Sequence, residues 1–193
     1  TSLTVDVDGG ILADNIDVTG TTTVKTITVK GDAGVGADVY TVTLANFGTD
    51  TTSTVTVDLS GVVADTTNQS AVTIDIDAEV TNKVSVTGSK GSNDTVNIDG
   101  AVNYATNGLV LSGVEKVTID NDITMDASTI SGQTIEFTGV SDDVVTLNGT
   151  ASADTINLAA ITTGGTGVAN TAILTTIDAG VGADTITVTT GAE

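Results

Sequence analysis

Asp32-Ala33-Gly34-Val35-Gly36-Ala37-Asp38 recurs without change as Asp178-Ala179-Gly180-Val181-Gly182-Ala183-Asp184. Each copy leads straight into an alternating run, Val39-Tyr40-Thr41-Val42 after the first and Thr185-Ile186-Thr187-Val188 after the second. Glycine turns the backbone at no steric cost, and aspartate is at home in turns because its side chain bonds nearby backbone groups. The alternation that follows sends one set of side chains inward and the next outward, as a half-buried strand requires. Looser copies of the frame lie at Gly91-Ser92-Asn93-Asp94-Thr95-Val96, at Gly139-Val140-Ser141-Asp142-Asp143-Val144-Val145 and at Gly149-Thr150-Ala151-Ser152-Ala153-Asp154-Thr155-Ile156. The shared unit is a small-residue turn, an Asp, one further residue and an apolar residue that opens a strand. Repetition of one turn-plus-strand unit predicts a solenoid.

The same period of two runs through the rest of the chain. Leu3, Val5 and Val7 alternate with Thr4, Asp6 and Asp8, and the pattern returns at 24–29, 55–59, 72–77, 84–86, 96–98, 117–119, 135–137 and 144–147. Val, Ile and Thr fill these runs, and they suit a pleated surface. Gly, Asp, Asn and Ser separate them. Helical periodicity is missing; the best candidate, Ala159-Ala160-Ile161, is ended at once by Thr162 to Gly167. The expected fold is all-β, a degenerate right-handed parallel β-helix or β-roll solenoid occupying 1–193 as one segment, with a β-sandwich as the alternative. Uneven spacing of Asp38, Asp94, Asp143, Asp154 and Asp184 predicts coils of variable length. A start at Thr1 without a signal peptide reads as a piece of a longer secreted protein.

Composition narrows the function classes. The 193 residues hold 25 acidic side chains against five basic ones, all lysines, for a formal charge of −20. Nucleic acid is not an expected partner, because phosphate contacts need basic groups. Such a charge opposes compaction unless cations offset it. With 39% hydrophobic residues, most of them β-branched, the chain is nonetheless expected to fold. No apolar run is long enough to form a transmembrane helix. His and Cys are absent, so proton transfer by imidazole and attack by a thiolate are excluded.

Ala33-Gly34-Val35-Gly36-Ala37-Asp38-Val39-Tyr40-Thr41 and Ala179-Gly180-Val181-Gly182-Ala183-Asp184-Thr185-Ile186-Thr187 resemble the calcium-binding nonapeptide G-G-x-G-x-D-x-U-x of repeats-in-toxin (RTX) proteins, with Ala in place of the first glycine. The resemblance implies Ca2+ as the ion bound and turn residues as its ligands: Asp32, Gly34, Gly36 and Asp38 in the first copy, Asp178, Gly180, Gly182 and Asp184 in the second, and Asp94, Asp143 and Asp154 in the looser ones. Calcium takes six to eight oxygens, which backbone carbonyls of a glycine turn and a following carboxylate can supply. The RTX copies stand in tandem, whereas here only Asp143 and Asp154 lie within about one coil of each other, so scattered sites are expected. Three further pairs, Asp6/Asp8, Asp75/Asp77 and Asp120/Asp122, put like charges two residues apart, where a cation would relieve their repulsion.

Leu109-Val110-Leu111-Ser112-Gly113-Val114-Glu115-Lys116-Val117-Thr118-Ile119 resembles a lead-in segment found before solenoid coils in bacterial surface-layer (S-layer) proteins. That resemblance implies a structural, non-catalytic protein of the bacterial cell surface, exported by a type I pathway and self-assembling with calcium. Its partners would be further copies of itself and cell-surface polysaccharide. An extender or binding segment of a large RTX-type adhesin is the alternative. A polysaccharide-active β-helix enzyme is more remote, since the chain has only two Tyr, two Phe and no Trp to offer a sugar. Thr-x-Thr pairs at 26/28, 41/43, 54/56 and 185/187/189 could form an ice- or mineral-binding ladder, but threonine is also simply a good strand residue.

Overall fold

The computed structural model describes residues 2–8, 14–19, 26–32, 39–45, 54–63, 71–76, 83–90, 93–139, 143–163 and 173–188. Short strands follow one another in nearly every one of these stretches. The first eight are β1 (Ser2–Asp8), β2 (Asp14–Thr19), β3 (Thr26–Asp32), β4 (Val39–Ala45), β5 (Thr54–Val63), β6 (Ala71–Ile76), β7 (Lys83–Thr87) and β8 (Thr95–Ile98). After a four-residue helix, α1 (Tyr104–Asn107), come β9 (Leu109–Ser112), β10 (Lys116–Ile119) and β11 (Ile123–Asp126). A 3-10 turn (Ala127–Thr129) precedes β12 (Ile135–Gly139), β13 (Val144–Asn148), β14 (Thr155–Leu158), β15 (Ile161–Thr163), β16 (Ile173–Asp178) and β17 (Thr185–Val188).

Every strand pairing among the described residues is parallel. The antiparallel sheets on which an immunoglobulin-like sandwich is built are not seen among them. The chain deals its strands alternately. β1, β3, β5, β7 and β9 form one sheet, A, while β2, β4, β6, β8, β10, β12 and β15 form a second, B. From β11 onward a third ladder, C, joins β11, β13 and β16, and a fourth, D, pairs β14 with β17. From β1 to β9 successive strands thus go by turns to sheets A and B. The offset between partners varies from 20 residues (Val117 with Phe137) to 32 (Val42 with Ile74), which is why the aspartates are unevenly spaced.

Registration stacks like on like. Ile27, Val57, Val86 and Leu111 form one inward column of sheet A, and Ile74, Val96, Val117 and Phe137 one of sheet B. All eight are 3% exposed or less. Burying a side chain of this size contributes about 1.5–3 kcal/mol, so the columns are the main source of cohesion. Alternation read from sequence therefore translates into a core, with strand residues such as Thr56, Asp58 and Thr118 left partly exposed. The helical elements were not foreseen. Ala159 and Ala160 form a turn and Ile161 opens β15, whereas α1 arises where Asn103 caps the Ala105 amide with its side chain. Between β9 and β14, side chains replace strand backbone. Thr129 Oγ1 donates to Leu109 O at 2.7 Å, Gln133 Nε2 to Leu111 O at 2.8 Å, and Ser131 Oγ to Thr155 O at 3.2 Å.

Candidate functional site

Strands this short place the turns directly above one another, and two of these stacked corners are wired alike. In the first, Gly88, Ser89 and Asp94 lie against Ser112 to Lys116 of the next pass. The Gly88 amide donates to Ser112 O at 2.8 Å, and the Lys116 amide to Asp94 O at 3.0 Å. The Asp94 amide donates to the Glu115 carboxylate at 2.9 Å. The Asp94 carboxylate closes its own turn, accepting from the Ser89 amide at 2.6 Å and from Ser89 Oγ at 2.9 Å. In the second corner, Gly149 to Asp154 lies against Asp178 to Thr185. The Gly149 amide donates to Asp178 O at 2.6 Å, and the Thr185 amide to Asp154 O at 2.9 Å. The Asp154 amide donates to the Asp184 carboxylate at 2.9 Å, while the Asp154 carboxylate accepts from the Thr150 amide at 2.6 Å and from Thr150 Oγ1.

The close approach of two backbones requires glycine at these corners. A Cβ on Gly88 would lie 1.8 Å from Gly113 O, one on Gly149 2.3 Å from Ala179 O, and one on Gly180 2.0 Å from Thr150 O. Gly180 also holds φ at +83°, a conformation that glycine adopts without strain. The invariant seven-residue turn is thus shaped by its neighbour as well as by itself: the Asp178 carboxylate accepts from the Gly180 amide at 3.1 Å, and the Val181 amide reaches across to Thr150 O at 3.2 Å.

The sequence-derived ligand residues are partly brought together. Asp154, Asp178, Gly180, Gly182 and Asp184 share the second corner. Asp94 occupies the equivalent place in the first corner and is completely buried. Asp143 is buried just before β13. Asp32 ends β3, aligned with Asp8 on one side and Val63 on the other. Gly34, Gly36 and Asp38 lie outside the described residues.

Sequence reasoning missed Glu115 as a carboxylate that reaches across, and it named Asp120 and Asp122 only as a repelling pair. Glu115 is the partner of the first corner. Asp120 accepts from the Gly100 amide of the preceding pass, and Asp122 from the Val144 amide of the following one at 2.8 Å. This pair therefore divides its work between two neighbours. The first corner is closed by Gly88-Ser89; Gly91 and Ser92 of the looser match lie outside the described residues. The available signal was a Gly-Ser or Gly-Thr pair whose hydroxyl residue stands five or four places before an Asp, at Ser89 and Thr150.

Electrostatics make the first corner the more stressed. Burial pushes the Glu115 carboxyl up from its ordinary range and the Asp94 carboxylate adds to the rise, while the Asp94 amide bond works the other way. Asp126 is raised by burial, with Lys83 opposing. Glu115, Lys116 and Glu136 line an open groove of about 320 Å³ with Asn93 and Thr95. Among the described residues no three acidic side chains converge closely enough to hold a metal ion. A calcium ion at the second corner would therefore have to take most of its oxygens from backbone carbonyls, with Asp178 and Asp184 as charged ligands. Chemically, the corners as described fasten backbone to backbone. Among the described residues no helix is long and apolar enough to cross a membrane. Comparison of the chain with protein-family models, curated proteins and solved structures finds no match.

Proposed function

We propose that this chain is a stretch of parallel β-solenoid serving as a structural, self-assembling element of a bacterial surface layer, outside the cell. The observation that carries the reading is the repeated corner, in which the carboxylate of one pass grips the backbone amide of the pass before it. Side chains committed in this way fasten coils together rather than turn over a substrate. Charge-assisted bonds of this type are worth about 1.5–3 kcal/mol each when desolvated, which suits a chain whose role is to persist as a rod. The carboxylates it singles out are spread along the ladders, not gathered in a cleft.

Calcium is proposed as the ion that the acidic turns recruit, at the Asp178–Asp184 turn first. The RTX-like frame, the formal charge of −20 and the placement of Asp178 and Asp184 at the two ends of a glycine turn support this. With dissociation constants of the extracellular class, about 0.1–1 mM, 10 mM calcium would stabilise the fold by about 1.4–2.7 kcal/mol per site. For a chain of this size that corresponds to a rise in melting temperature of about 3–10 °C. Melts in 10 mM calcium and in chelator, at equal ionic strength, test the proposal. Coincident curves would remove calcium from the account. Electron microscopy of the calcium form tests the coat: sheets support a surface layer, whereas extended monomers point to an adhesin extender.

A further inference from the structure

Among the described residues an asparagine is followed by Asp or Gly at Asn93-Asp94, Asn107-Gly108, Asn121-Asp122 and Asn148-Gly149. Such an asparagine can lose its side-chain amide when the next backbone nitrogen attacks its Cγ. In an unfolded chain glycine is the faster follower, because it has no side chain to crowd the approach. The attack needs that nitrogen free to move and to shed its proton. At three of the four places it is tied elsewhere. The Asp94 amide donates to the Glu115 carboxylate at 2.9 Å, the Gly108 amide to Tyr104 O at 2.7 Å and the Gly149 amide to Asp178 O at 2.6 Å. Asn121 differs. The Asp122 amide donates to Asn121 Oδ1 at 3.0 Å, its one acceptor among the described residues. That bond joins the two groups that would react and holds them side by side, which favours an intramolecular attack. Both residues are exposed, so water reaches them.

We infer that Asn121 is a self-modification site, the asparagine at which this fold directs deamidation. The Asp122 nitrogen bonds to Asn121 Cγ and its proton passes to hydroxide. The bond from Cγ to Nδ2 breaks, and Nδ2 leaves as ammonia. Water then opens the five-membered imide ring. Opening at Cγ leaves an ordinary aspartyl residue. Opening at the backbone carbonyl carbon leaves an isoaspartyl link, whose main chain runs through Cβ and Cγ and is one atom longer. The sum is one water consumed and one ammonia released, with no change of oxidation state. The place matters to the stack. Asn121 stands between Asp120, which holds the Gly100 amide of the preceding pass, and Asp122, which holds the Val144 amide of the following one at 2.8 Å. A longer main chain between them draws Asp122 away from Val144, so this corner loosens with age.

Peptide mapping by mass spectrometry after long incubation of the folded chain at mildly alkaline pH tests the site. Asn121 should lose its amide about 10- to 100-fold faster than Asn93, the range set by the charge-assisted bond that must open at the Asp94 amide. It should also lead Asn107 and Asn148. In concentrated urea the order should reverse, with Asn107 and Asn148 ahead. Asn93 keeping pace with Asn121 in the folded chain, or Asn107 or Asn148 leading there, overturns the inference. Amide hydrogen exchange reads the consequence. The Val144 amide should exchange faster in the aged wild type and stay unchanged in aged Asn121→Gln, whose longer side chain does not form the five-membered ring. Equal Val144 exchange in the two aged chains overturns the loosening.

Discussion

Replacing Asp94 by Ala is the sharpest perturbation of the stacked corners. The carboxylate is completely buried and accepts from the Ser89 amide at 2.6 Å and from Ser89 Oγ at 2.9 Å. Two charge-assisted bonds at about 1.5–3 kcal/mol each give an upper figure near 6 kcal/mol. Two effects reduce it. Ser89 is partly exposed and can bond water, and removing the charge relieves Glu115 of its neighbour's repulsion. The expected net loss is about 2–4 kcal/mol. A chain built of repeated passes opens locally, so a global midpoint would dilute the effect. Amide hydrogen exchange reads it directly. The Ser89 amide, deprived of its acceptor, should exchange about 30- to 700-fold faster, taking about 1.4 kcal/mol per factor of ten. Asp94→Asn keeps one oxygen for that amide and should cost about 1 kcal/mol. The amide of residue 94 itself, held by Glu115 at 2.9 Å, should change less than that of Ser89 in both variants. Ser89 protection within threefold of wild type in Asp94→Ala, or equal losses for Ala and Asn, would refute the idea that the carboxylate organises this corner.

Gly180→Ala should destabilise the second corner by more than about 2 kcal/mol, since the new Cβ would meet Thr150 O at 2.0 Å on top of the cost of a positive φ. Gly132→Ala, at φ +78° with nothing within 4 Å, should lose only about 1–2 kcal/mol; equal urea midpoint shifts for the two would show that close stacking of the turns costs nothing. Tyr104→Phe should raise stability by about 1 kcal/mol, because the Tyr104 hydroxyl is buried without a hydrogen-bond partner among the described residues. Burial also pushes the Tyr104 hydroxyl well above its usual pKa, so the unfolded chain ionises first. Stability should therefore fall as pH rises past about 10, and Tyr104→Phe should lessen that fall in melts between pH 8 and 11.

The alternation of Val, Ile and Thr made the all-β class legible, because period two leaves only one way to divide buried from solvated side chains. The identical turns at 32–38 and 178–184 pointed to repetition, and the second of them does stack on a relative, the turn ending at Asp154. What could not be read was which turn meets which. Asp94 and Glu115 are 21 residues apart, and Asp154 and Asp184 are 30 apart. No fixed period joins both pairs, since pass length varies with the loops. Glu115 sat in a segment read as a strand lead-in, and nothing local marks it as an amide acceptor. Asp120 and Asp122 looked like a repelling pair because sequence places them together, while the fold turns one toward Gly100 and the other toward Val144.

The acidic turns have two ways to hold successive passes together, and the geometry ranks them. A carboxylate that accepts an amide from the neighbouring pass removes an unsatisfied donor and spreads its charge over a short, directed bond, with no ion needed. A calcium ion asks for six to eight oxygens, more than the two carboxylates that flank a glycine turn can supply. The amide clips therefore set the baseline order of the stack, and the proposed calcium would act on the charge that remains. On that division a chain of net charge −20 holds fully buried columns such as Ile74, Val96 and Val117 without relying on the proposed cation. The division also separates the two in experiment. Loss of a clip should loosen one corner whether or not calcium is present, whereas loss of calcium should act most where Asp178 and Asp184 flank the glycine turn.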